Sequence, residues 1–228
     1  MYHKILIVVT NQNEYSKTGE PTGLWLSELT HFYHRIKEAN IEVTIASILG
    51  GKVPIDPNSI SKNMLDAETE KYYKDDNFMS LLNDSLKLTD VNTKDFDVIY
   101  FTGGHGTMWD FPNSKVLQDI SYKIYAEGGI ISAVCHGVGA LLNIKDNDGN
   151  FLIKGKNITG YSNKEEVLAK ALDKIPFKLE DELKNRGSNY KSALLPFTSY
   201  VISDERIITG QNPQSTKEVA KAVLKALN

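Results

Sequence analysis

The chain has 228 residues, 41% hydrophobic and 24% charged, with a formal net charge of −3. That balance predicts a globular core in one domain over 1–228. It argues against nucleic acid, since no Lys/Arg block stands out, and against a membrane partner, since no apolar run approaches about 18 residues. The opening "MYHKILIVVTNQ" lacks a signal-peptide pattern, and a single cysteine cannot close an internal disulfide. A cytoplasmic protein with a reduced thiol is the expectation.

Strand-like and helix-like runs alternate along the chain. "KILIVVT" (4–10) reads as a strand buried on both faces. Residues 22–40 read as a helix, with Trp25, Leu29, Phe32 and Ile36 at helical spacing and Thr22 able to cap its start. "IEVTIASIL" (41–49) is a second strand. Residues 50–94 are polar and too long for an ordinary connection, so they read as an insertion carrying a helix around 66–86. "FDVIYFTGG" (96–104) is a third strand, 114–129 a helix ending in glycines, and "IISAV" (130–134) a fourth strand leading into a helix at "HGVGALLN". A hairpin turning at Asp148-Gly149 follows, then helices in "NKEEVLAKALDKI" and "KLEDELKNRG" and two late strands within 193–210. The last helix, 216–227, is preceded by Ser215-x-x-Glu218, a capping-box pattern. Such alternation predicts a mainly parallel α/β sheet with helices on both faces and sites at the carboxyl ends of strands.

Cys135 falls at one such end, where a strand enters a helix through a tight turn. There a side chain is held exposed, and a helix N-terminus favours the thiolate. Adjacent His136 is a base or orienting partner for the thiol, or a ring held by a carboxylate. In "FTGGHGTMWDFPN" (101–113), Gly103 and Gly104 can present N–H groups to an oxyanion, and His105 and Trp109 can line a pocket. Glu28 lies at the border of the buried face of its helix, where a plain boundary acid is the simpler reading. His31 and His34 near Glu28 suggest metal ligands, but spacings of three and three do not converge on a helix.

Together these stretches, with "TGLWLSEL", "ITGYSNKEE", "PFKLEDEL" and "IITGQNPQST", resemble the DJ-1/PfpI superfamily over nearly the whole chain. The match is to its Hsp31-like branch of glutathione-independent glyoxalases, also described as chaperones. The resemblance implies a flavodoxin-like α/β sandwich with a nucleophile elbow at Cys135. It implies that His136 is oriented by Glu165, with Glu166 the other choice, and that Glu28 sits beside the sulfur. Gly103, Gly104 and the N–H of His136 match the oxyanion loop. Larger relatives carry a metal site whose ligands have no counterpart here, so no metal and no cofactor are expected. The implied reaction converts a small reactive 2-oxoaldehyde such as methylglyoxal to a 2-hydroxy acid, in carbonyl-stress defence. A homodimer and unfolded protein clients are the implied macromolecular partners.

Other readings stand beside this one. An amidase of the class I amidotransferase type needs a His-x-Glu downstream of its cysteine, but the histidines are 3, 31, 34, 105 and 136. A cysteine peptidase could use Cys135 and His136. A holdase chaperone would act through exposed apolar surface at a dimer face or around 50–94. A redox sensor would oxidise Cys135, with no second cysteine to resolve it.

Overall fold

β1 (Lys4–Val9) buries nearly all its side chains, as its unbroken apolar run predicts. A computed structural model, which describes residues 3–228, places it inside a seven-stranded sheet. In chain order the next elements are α1 (Leu26–Glu38), β2 (Glu42–Ser47), α2 (Ala67–Tyr73), α3 (Asp76–Asn83), β3 (Leu86–Lys87), β4 (Val98–Phe101) and α4 (Thr107–Asp110). There follow α5 (Lys115–Ala126), β5 (Ile130–Val134), a 3-10 helix (Cys135–Leu141), β6 (Asn157–Ile158), α6 (Asn163–Leu168) and α7 (Leu179–Asn185). The chain ends with β7 (Asn189–Tyr190), β8 (Val201–Asp204), β9 (Ile207–Gly210) and α8 (Thr216–Leu227). The sheet order is β3-β2-β1-β4-β5-β9-β8, parallel throughout except for β8 at one edge. This is the expected flavodoxin-like arrangement.

The chain leaves β1 through α1 towards β2, and leaves β4 through α5 in the opposite direction towards β5. Right-handed crossovers then put α1 and α5 on opposite faces. The reversal between β1 and β4 opens a crevice at the carboxyl ends of the strands. Gly103–His105 follow β4 there, and Cys135 follows β5.

α1 is seated by Leu26, Leu29, Phe32 and Ile36, all fully buried. Phe32 stacks on Tyr100 of β4, with ring centroids 3.6 Å apart and planes within 5°. Burying such a ring is worth about 1.5–3 kcal/mol. The Tyr100 hydroxyl also donates to the Glu28 carbonyl at 2.8 Å. Core packing thereby delivers Glu28 to the end of β4.

The structure departs from the sequence reading at several places. Residues 66–86 hold two helices, because Asp75 accepts from the N–H groups of Asn77 and Phe78 and starts a new one. Thr22 does not cap α1; its hydroxyl donates to Asp56 at 2.8 Å. Asp148-Gly149 does turn the chain, closed by a lone Lys145–Phe151 bridge, but β6 pairs in parallel with β7. α6 stops at Leu168, where Ala171 N–H reaches back to the Glu166 carbonyl and Lys170 takes a φ of 56°. Ser215 makes no cap; its hydroxyl accepts from Tyr200 N–H and donates to Asn212. His31 and His34 face the insertion, meeting Asp66 at 2.6 Å and the Tyr72 hydroxyl at 2.9 Å, and so fasten α2 to α1. Among the described residues, no helix is long and apolar enough to cross a membrane.

Candidate active site

Val134 ends β5 in extended backbone, and Cys135 then turns with a φ of 57°, a region that a residue with a Cβ enters at a cost. The turn is tight because Gly137 lies against the Thr102 carbonyl, where any Cβ would collide. The sulfur sits 3.3 Å from His136 Nδ1. Contrary to the acidified thiol expected from the elbow, burial, and then Glu28 once it is ionised, push the Cys135 thiol well above its ordinary value. The reason is local. Only a seven-residue 3-10 turn follows, and Cys135 is 3% exposed, so little water reaches the sulfur. The backbone N–H of His136 is the opposing influence.

His136 Nε2 lies 2.5 Å from Glu166 Oε1, and the other carboxylate oxygen, Oε2, lies 3.1 Å from His105 Nε2. An ionised carboxylate only accepts, so both Nε2 atoms carry the hydrogen. That leaves the Nδ1 lone pair of His136 facing the sulfur. Burial, and then the His105 ring 4.1 Å away, hold the His136 pKa below its ordinary 6.5. Against the upward pull of burial, the attraction of His136 and the two imidazole N–H groups hold the Glu166 carboxyl far below the carboxylate range.

Glu28 reaches the same sulfur from α1. Its Oε2 accepts the Gly103 N–H at 2.6 Å, while Oε1 is buried with no other hydrogen-bond partner. Burial pushes its pKa up to about 8, so Glu28 is a carboxylic acid at neutral pH. The sulfur and His136 form part of the wall of a cavity of about 710 Å³, with Tyr15, Trp25, Gly104 and Tyr161 among its other walls. His105, His136 and Glu166 bring one ligand-type atom each within 4.8 Å of one another. All three are already engaged in imidazole–carboxylate hydrogen bonds, which a metal ion would have to break.

The model of the DJ-1/PfpI family matches residues 22–226. The chain belongs to the DJ-1/PfpI family. It is 33% identical to a glutathione-independent glyoxalase of Saccharomyces cerevisiae, with 98% of each chain covered. It is 32% identical to Glyoxalase 3 of Candida albicans, again over 98% of each. Among solved structures it superposes on the Francisella tularensis Rapid Encystment Protein of 24 kDa with a TM-score of 0.95 at 47% identity, covering 99% of both chains. Glyoxalase III of Candida albicans gives a TM-score of 0.91 at 31% identity, covering 99% of this chain and 97% of the other.

In this DJ-1/PfpI chain, Cys135, His136 and Glu28 converge as the resemblance, though not the helical spacing of Glu28, implies, and three expectations need correcting. Glu165 does not meet His136. It closes a capping box with Ser162 and accepts further from Phe197 N–H, Gln211 and Asn212. Glu166, one residue on, points at the imidazole instead. The signal was present in Ser162-x-x-Glu165, the capping-box spacing. Gly103 cannot offer its N–H to an oxyanion because Glu28 takes it, whereas Gly104, at a φ of 100°, does line the cavity. Trp109 packs edge-on behind Tyr15 at 5.7 Å, and Trp25 takes the place on the wall expected of it. The sequence reading missed Tyr15, whose hydroxyl meets His105 Nδ1 at 2.8 Å. No local pattern marks that residue.

Proposed function

We propose that this chain is a glutathione-independent glyoxalase that converts 2-oxoaldehydes such as methylglyoxal to 2-hydroxy acids, in defence against carbonyl stress. The observation that carries this reading is one sulfur held between a basic Nδ1 at 3.3 Å and a protonated carboxyl, beside an open cavity. The names of the relatives in yeast and Candida agree with it.

The chemistry follows from these protonation states. As Cys135 attacks the aldehyde carbon, its S–H proton passes to His136 Nδ1, and Glu166 steadies the imidazolium. Protonated Glu28 hydrogen-bonds the sulfur as negative charge develops there. The new alkoxide takes the proton back from His136, which gives a hemithioacetal. His136 then moves the C1 proton to C2 through an enediol, while the C1 hydroxyl proton passes to the C2 oxygen, leaving a thioester of the 2-hydroxy acid. Water hydrolyses the thioester and restores the thiol. No redox partner is needed, because one carbon is oxidised as its neighbour is reduced. Rapid-quench mass spectrometry should find one methylglyoxal equivalent covalently attached at Cys135. Adducts on lysine or arginine alone would overturn the reading.

A second role rests on a different observation. Leu194 and Leu195 are 89% and 63% exposed on a loop that Lys164 and Glu165 hold against α6, which itself exposes Val167 and Leu168. This apolar surface supports a homodimer contact, with holdase activity towards unfolded chains as the alternative use. Sedimentation of a Leu194→Asp/Leu195→Asp variant separates the two. A shift to monomer supports the dimer, and an unchanged mass with lost suppression of client aggregation supports the holdase.

A further inference from the structure

His105 lines the cavity beside the sulfur, yet it has no ring nitrogen to offer a substrate. Its Nδ1 is 2.8 Å from the Tyr15 hydroxyl and its Nε2 is 3.1 Å from Glu166 Oε2. The residue is 9% exposed, and its ring lies 4.1 Å from that of His136. Glu166 is therefore gripped from both sides, by His136 on one oxygen and by His105 on the other. Without the second grip, the carboxylate could rotate about its last torsion, which is broad and roughly two-fold.

We propose that His105, held by Tyr15, is a positioning residue that clamps Glu166 and thereby keeps His136 in the tautomer whose Nδ1 faces Cys135. This rests on the reading of Cys135 and His136 as nucleophile and base. The clamp has two effects. It fixes the direction of the His136 ring. It also spreads the negative charge of Glu166 over two N–H donors, so the carboxylate pulls less strongly on a proton at His136. The other titratable groups facing His136 are Cys135, Glu165 and Tyr161, whose ring lies tilted 4.3 Å from it, while Glu28 bears on the sulfur. None of these approaches Oε2 of Glu166 in place of His105. Tyr15 is itself supported by Trp109, 5.7 Å away edge-on, and by the Lys174 ammonium 5.6 Å from its ring centre. The clamp therefore extends from β5 through α6 and the loop after β4 to the loop after β1.

Three variants test this: His105→Leu, which removes the donor; His105→Gln, which keeps an N–H; and Tyr15→Phe, which removes only the hydroxyl. Two measurements are made on each full-length protein, the ring nitrogen shifts of His136 by NMR and the pH dependence of kcat/KM for methylglyoxal. In His105→Leu, the His136 tautomer signal should become mixed and the acid limb of the profile should rise by about one pH unit. Its kcat should fall about ten-fold or more, with KM within about two-fold. His105→Gln should recover most of both changes, and Tyr15→Phe should show a smaller shift of the same sign. An unmoved tautomer and acid limb with only KM raised would overturn the clamp, as would a glutamine variant as impaired as the leucine one. The NMR measurement needs no turnover. A wild type without activity but with a tautomer that responds to these variants would refute the glyoxalase reading and leave the clamp standing.

Discussion

Glu166 Oε1 accepts the Nε2–H of His136 at 2.5 Å, from a position one residue beyond the carboxylate expected there. Neighbouring residues on a helix point about 100° apart. The two acids of α6 therefore divide the work. Glu165 turns back to the helix start and the β9–α8 connection, while Glu166 turns into the crevice.

Replacing the two acids should separate chemistry from stability. Glu166→Gln loses the charge opposite His136, and kcat should fall about 10²–10⁴-fold with the fold retained. Glu165→Gln disturbs the bonds from Ser162, Phe197, Gln211 and Asn212, and should cost about 1.5–3 kcal/mol of unfolding free energy while kcat changes far less. Steady-state kinetics and urea melts on the two variants check this. The opposite pattern would return the orienting role to Glu165.

Glu28 makes stability depend on pH. Its pKa in the folded chain, about 8, lies above its ordinary 4.5, so the folded state holds a proton that the unfolded state releases. On account of this group alone, stability is fully present below about pH 4.5 and declines by about 1.4 kcal/mol per pH unit until about pH 8. Glu28→Gln removes that term. The gap between variant and wild-type unfolding free energies should widen in favour of the variant across this window and then level off. Parallel curves would show that Glu28 is already ionised near neutrality.

The thiol should titrate late. With burial pushing Cys135 up, and the Glu28 carboxylate adding to it once Glu28 ionises above about pH 8, the ultraviolet absorbance of thiolate should stay absent at neutral pH and appear only above the ordinary value of 9. The Cys135→Ser protein supplies the baseline. A full thiolate signal at neutral pH would mean that the elbow alone activates the sulfur, and that His136 need not accept its proton.

Much of this molecule was legible in its residues. The unbroken runs in β1, β4 and β5 predict buried parallel strands, and the strand-to-helix join at Cys135 marks the elbow. Cys135 and His136 adjoin in sequence, but neighbours on a tight turn point in different directions, and their 3.3 Å contact depends on the turn at Cys135 and on the Glu166 bond to the imidazole. Glu28 was harder, because helical spacing puts it only at the border of a buried face. Its full burial follows from Phe32 stacking on Tyr100, a contact between residues 68 positions apart in chain numbering that no periodicity reveals. Choosing Glu166 over Glu165 turns on a capping box that spends one of two adjacent acids. The Tyr15–His105 contact joins loops 90 residues apart, and neither loop carries a pattern that announces it. Local signals therefore predicted the elements and the nucleophile, while the orientation of the supporting acids came only from tertiary packing.

The most direct test is D-lactate formation from methylglyoxal, without glutathione, by wild type and Cys135→Ser. Turnover by the wild type that disappears in the variant is the expected result. Absence of product in both, or equal product from both, would contradict a cysteine-dependent glyoxalase.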